Sequence, residues 1–210
     1  VPGEDKQILQ NEPVFLDEKV IGQPVFAIHL AIKEMVRSGN LVTDMITKAK
    51  KAFISGDVKE VGEVMESDKV NKLREETIKY LSMILSSEGI TEYQKQTVSA
   101  LYHVASDIEH IGDYAKNIVA LAQEKTKNKY VLSDEAYKEV YFYFGLIDKM
   151  MEDTFICLET GKHKIAEGVL SQEENVNEME IELRKKHMHR LETGLCSPVA
   201  TVMYIDVIHN

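Results

Sequence analysis

Val98-Ser99-Ala100-Leu101-Tyr102-His103-Val104-Ala105-Ser106-Asp107-Ile108-Glu109-His110-Ile111-Gly112-Asp113-Tyr114-Ala115-Lys116-Asn117-Ile118-Val119-Ala120-Leu121-Ala122 is the stretch whose reading decides the fold. Within it Val98, Leu101, Ala105, Ile108, Gly112, Ala115, Val119 and Ala122 recur at alternating helical intervals without a break. That spacing keeps all of them on one side of a helix and makes a bundle seam. The middle of the seam is less ordinary. Glu109 and Asp113 lie one helical turn apart on one face, where like charges repel and no terminal dipole is near enough to offset them. Gly112 between them costs about 1 kcal/mol relative to Ala in a helix interior. Such a segment points to a compensating gain: a bound cation, a basic partner or close backbone packing.

Outward from this helix the chain reads as all-α. The prolines are Pro2, Pro13, Pro24 and Pro198, so none interrupts a helix between 24 and 198. A first helix is expected after Gln23, with Pro24 in its first turn where the missing N–H is harmless, running to about Ser55. Gly56-Asp57 restarts the chain into a second helix over about 57–87. Thr91-Glu92-Tyr93-Gln94 is a capping box for the third, which runs to about Lys125. After a polar loop near 124–130, Ser133 caps a fourth helix to about Thr160, with Tyr137, Val140, Tyr141, Phe144, Ile147 and Met151 as its apolar stripe. A fifth covers about 163–192, and Ser197-Pro198 opens a sixth that runs to Asn210.

Three long helices, a loop and three more suggest a repeat. Ser67-Asp68-Lys69-Val70-Asn71-Lys72-Leu73 and Glu173-Glu174-Asn175-Val176-Asn177-Glu178-Met179 share a pattern: an acid, one residue, Val-Asn, one residue, a large apolar residue. The expected organisation is a linker over 1–22, with an apolar patch at Val14-Phe15-Leu16, a three-helix repeat over 23–128, and a second, incomplete repeat over 129–210. Together the repeats make a six-helix bundle whose last helix is truncated.

Composition bounds the function. The chain has 210 residues, 44% of them hydrophobic and 29% charged, and a net charge of −10. Such a chain is globular, and its acidity argues against nucleic acid and against unaided binding to anionic lipid. Cys157 and Cys196 form no C-x-x-C pair and read as buried thiols of a reducing compartment, which makes the cytoplasm the expected location. No apolar run approaches the roughly 18–20 residues of a membrane span, the longest being 140–147. The chain begins at Val1 rather than Met, which is compatible with a piece of a longer protein from which a membrane portion has been removed.

Glu109 and Asp113 are the main candidate ligands, suited to a hard cation on a bundle face. Against that stands the commoner alternative of a solvated helix face. Asp107 is a weaker candidate, as are Asp68 and Glu174, which sit one turn before Asn71 and Asn177. The two asparagines equally suit interhelical hydrogen bonds that fix register. The basic run Arg184-Lys185-Lys186-His187-Met188-His189-Arg190 is read as a solvated helix end, since His187 and His189 do not share a face. A ferritin-like di-iron site needs paired E-x-x-H helices, and no E-x-x-H occurs. With no phosphate loop, nucleophile elbow or spaced Cys/His set either, nothing in the sequence signals an enzyme.

The segment 107–118 resembles the signature of PhoU-type domains, roughly D-L-E-R-I-G-D-H-A-x-N-I, with His110 in place of Arg and Tyr114 in place of His. The stretch 183–198 is similar to the PhoU-like cytoplasmic C-terminal region of bacterial sodium/phosphate cotransporters, and Phe15-Leu16-Asp17-Glu18-Lys19 and Gln23-Pro24 fit the same branch. This resemblance implies two three-helix repeats and a non-enzymatic, regulatory role in phosphate uptake. It implies a place in the cytoplasm at the inner face of the membrane, with a transporter's membrane portion or a transporter protein as partner, and it admits a homodimer. Some family members bind multinuclear iron or zinc clusters through E-x-x-x-D motifs, so iron, zinc or manganese at Glu109 and Asp113 is the implied cofactor. The second copy of the motif is expected beyond Asn210, because Ser106-Asp107 aligns with His209-Asn210. A freestanding PhoU regulator acting on a phosphate transporter and its sensor kinase is the second reading, and a carboxylate-bridged metalloenzyme the third.

Overall fold

A computed structural model describes residues 12–59, 61–65 and 68–210. All the regular structure among them is helical. The long helices are α1 (Pro24–Ser55), α2 (Asp68–Leu85), α3 (Glu92–Asn128), α4 (Asp134–Thr160), α5 (His163–Glu192) and α6 (Pro198–His209), with short helical turns at Glu18–Val20 before α1 and at Gly62–Met65 between α1 and α2. No helix among the described residues is long and apolar enough to cross a membrane.

The expected starts and stops are formed by the expected groups. Thr91 and Gln94 make the reciprocal capping box: Gln94 N donates to Thr91 Oγ1 at 3.3 Å, and Thr91 N to Gln94 Oε1 at 2.8 Å. Ser133 and Ser197 accept from the N–H groups of Ala136 and Ala200, capping α4 and α6. Gly161 ends α4 at φ 63°, in the left-handed region where glycine has no Cβ penalty.

Two expectations are corrected. The second long helix begins at Asp68, not Asp57. After Gly56, at φ 73°, Ser55 Oγ accepts from Asp57 N and Asp57 Oδ1 from Lys59 N. These local side-chain bonds give the backbone an alternative to the helix. The stripe of α4 is also different: Tyr141 is exposed, and Tyr143 takes the buried place beside Val140 and Phe144. Position 143 completes the three-residue step from Val140 that position 141 cannot make on a helix.

By contacts the chain divides into two units. The first, Val1–Met45 with Glu66–Asp113, packs Ala27, Ala31, Met35 and Val42 of α1 against Val70, Leu73, Leu81 and Ile84 of α2 and Val98, Leu101, Ala105 and Ile108 of α3. The second, Ile46–Met65 with Tyr114–Asn210, buries Phe53, Ala115, Val119, Ala122, Val140, Leu183, Met203 and Tyr204. Every member of the α3 seam is buried, from Val98 to Ala122. Within the expected linker, residues 1–11 lie outside the described residues, as does Ser67 of the repeat pattern. Residues 12–22 lie against α1 and α2. Glu34 of α1, fully buried, accepts from the backbone N–H of Val14 and of Phe15, each at 2.8 Å, and Tyr80 of α2 donates to the carbonyl of Asp17.

Candidate functional site

On α3, Ile108 and Gly112 point into the first unit, and Glu109 and Asp113 stand at the shoulder of the same face, half-buried. A Cβ on Gly112 would meet Val42 Cγ1 at 3.5 Å, Met45 Cε at 3.7 Å and Val70 Cγ1 at 3.7 Å, ordinary van der Waals separations. Gly112 is therefore enclosed without being compressed.

The group facing Glu109 is a cation. Arg74 of α2 brings Nε to 3.7 Å from Glu109 Oε2, and His110, mostly exposed, approaches the same oxygen at 4.0 Å. Arg74 arrives there because α2 buries Val70 and Thr77, and position 74 lies on the same helical face as both. Its Nε is buried without a hydrogen-bond partner, as is Asn71 Oδ1 one turn earlier. Arg74 also borders a void of about 10 Å³ with Ser38, Thr77, Met35 and Ala105, about the size of one water. Asp113 has a partner of its own. Asp107 and Asp68 are exposed, and Glu174 and Asn177 are exposed residues of the second unit.

In the second unit the basic run on α5 is not all solvated. His187 and Arg190, 1% and 8% exposed, turn inward. Arg190 grips Glu139 of α4 with two bonds, Nη1 to Oε1 at 3.0 Å and Nη2 to Oε2 at 2.6 Å, and Tyr204 of α6 donates to Glu139 Oε2 at 2.7 Å. His187 stacks on Tyr204 with ring centroids 4.0 Å apart, and its Nδ1 lies 2.9 Å from Arg190 Nη2. Since a guanidinium only donates, Nδ1 accepts and the proton sits on Nε2. Burial opposes the charge of Glu139, but the bonds from Arg190 and Tyr204 outweigh it and hold its pKa below the ordinary value. Burial, helped by the Arg190 charge, pushes His187 down to about 4.

Comparison with known proteins settles the family. The PhoU domain model matches residues 35–122 and 143–210. The chain belongs to the PhoU domain family. The phosphate-specific transport system accessory protein PhoU homolog of Aquifex aeolicus is 24% identical over 165 residues, covering 74% of this chain and 70% of its own length. The fold matches the crystal structure of the phosphate transport system regulatory protein PhoU from Streptococcus pneumoniae with a TM-score of 0.78 at 18% identity, over 89% of this chain and 87% of that one.

Within this PhoU-domain chain the expected ligands do not assemble a metal centre. Among the described residues no group of three or more His, Cys, Asp or Glu side chains gathers in a way that could hold a metal ion. Glu109 has Arg74 beside it, and the weaker candidates Asp107, Asp68 and Glu174 are spread over the surface. Arg74 escaped the sequence reading, although Val70, Arg74 and Thr77 follow the same interval that identified the α3 seam. Glu139 and Tyr204 escaped it because their partnership with Arg190 joins three helices distant in sequence.

Proposed function

We propose that this chain is a regulatory accessory of phosphate transport that acts by contact with transport or signalling proteins rather than by catalysis. The observation that carries this reading is the PhoU domain match over both parts of the chain, supported by the name of the Aquifex relative, a phosphate-specific transport system accessory protein. The structure is compatible with it. In the second unit Arg190 and Glu139 are paired with each other and Glu139 also accepts from Tyr204, in the manner of groups that fix a fold and not of groups poised to react.

The partner in this reading is the cytoplasmic side of a phosphate transporter. A freestanding regulator is favoured by the Aquifex relative. A second reading, the cytoplasmic domain of a sodium/phosphate cotransporter, is favoured by residues 183–198 and by Phe15-Leu16-Asp17-Glu18-Lys19. An immunoblot of fractionated cells separates the two: a band in the soluble fraction supports the first and a band that stays with the membrane the second. The regulatory role itself is tested by incubating the purified chain with inner-membrane vesicles of the source organism, with and without its phosphate transporter. Retention that depends on the transporter, with no phosphatase turnover, is expected. Equal retention on both kinds of vesicle would overturn the reading.

A further inference from the structure

Glu109 and Asp113 place two like charges one turn apart on a flank of α3 that is half-buried, where solvent screens them incompletely. Such a face needs a compensating cation, either bound from solution or supplied by the chain. In the first unit the chain supplies one. Arg74 Nε stands 3.7 Å from Glu109 Oε2, and its guanidinium cannot be neutralised by loss of a proton. Among the described residues that buried Nε has no hydrogen-bond partner, so Glu109 is the acceptor toward which its unmet donor can turn. Two of the residues around it, Val70 and Ile108, are buried, which anchors both helices and holds the pair in register.

We propose that Arg74 is the resident counter-cation of the Glu109 face, and that its guanidinium keeps a divalent metal out of it. A metal bound to Glu109 would sit at about 2.3 Å or less from a carboxylate oxygen, with a fixed positive charge already beside that oxygen. No third ligand stands ready to offset the repulsion among the described residues. The first unit therefore keeps its carboxylate pair without a metal. This inference is independent of the regulatory reading.

The test uses the full chain stripped of metal with chelator, with thermal unfolding and equilibrium dialysis against MnCl2, since manganese suits oxygen donors. The unaltered chain and Arg74→Lys are expected to show no manganese-dependent rise in Tm. Arg74→Gln should melt lower without metal, bind manganese at least about tenfold more tightly than the unaltered chain, and regain Tm as it does so. Arg74→Gln combined with Glu109→Gln should lose that response. Glu109→Gln alone, a variant with an intact guanidinium, should lower Tm because it strands Arg74. The proposal is overturned if the unaltered chain gains Tm with manganese and Glu109→Gln abolishes the gain. It is equally overturned if Glu109→Gln alone raises Tm, which would mean that repulsion from Asp113 outweighs the pairing with Arg74.

Discussion

Replacing Gly112 by alanine should stabilise the chain. The position lies inside α3, where glycine is about 1 kcal/mol less favourable than alanine because more backbone freedom is lost on folding. Whether that gain survives depends on the space for one methyl group. The nearest atoms to an added Cβ are side-chain carbons of Val42, Met45 and Val70 at 3.5, 3.7 and 3.7 Å, close to the optimum for carbon–carbon attraction and short of overlap. The methyl then adds its own burial, up to about 0.8 kcal/mol. The sum is about 1–2 kcal/mol of stabilisation. For a chain of this length that is a rise in Tm of about 2–4 °C per kcal/mol. Urea unfolding followed by far-UV circular dichroism reads it directly: the midpoint should rise with no change in slope. A loss of more than about 1 kcal/mol would refute the reasoning, because it would require α1 and α2 to press on α3 more closely than these separations. The result also bears on function, since a stabilised variant removes packing as the reason for a glycine between Glu109 and Asp113.

Further outcomes follow from the buried polar groups. Glu139→Gln should destabilise by about 3 kcal/mol in urea titration, because it leaves Arg190 buried without its charged partner; unchanged stability would mean the bidentate pair is not formed. His187, held neutral in the fold with its pKa near 4 against 6.5 when unfolded, makes the unfolded state bind more protons between those values. Stability should therefore fall as pH drops from about 6.5 towards 4, by at most about 3 kcal/mol at 1.36 kcal/mol per unit, and a His187→Phe variant should show a flatter profile over that window. Glu34→Ala should free residues 12–22 from α1 by removing the acceptor of Val14 N and Phe15 N, a local loss of about 2–3 kcal/mol. Hydrogen exchange in that segment should accelerate at least about tenfold while the core of α3 keeps its protection.

The helical architecture was legible because its signals are local. The interval pattern from Val98 to Ala122, the Thr91–Gln94 box and the serine caps each specify structure within a few residues, and each is formed as read. The start of α2 was misread because Ser55 and Asp57 divert the backbone with side-chain hydrogen bonds that helical periodicity does not register. The candidate site was half legible. Glu109, Asp113 and Gly112 stood out on one helix, but the charge that answers Glu109 comes from Arg74 on another, and the burial of Val70 and Thr77 on that helix brings it there. Likewise the basic run on α5 looked uniformly solvated until His187 and Arg190 found Glu139 and Tyr204 across the second unit.

The regulatory claim is most directly tested by initial rates of radiolabelled phosphate uptake in the source organism, with the gene for this chain deleted and then restored, at low and high external phosphate. The account predicts that deletion changes the uptake rate or its dependence on external phosphate, and that restoring the chain reverses the change. Uptake indistinguishable in all three strains at both concentrations would contradict it.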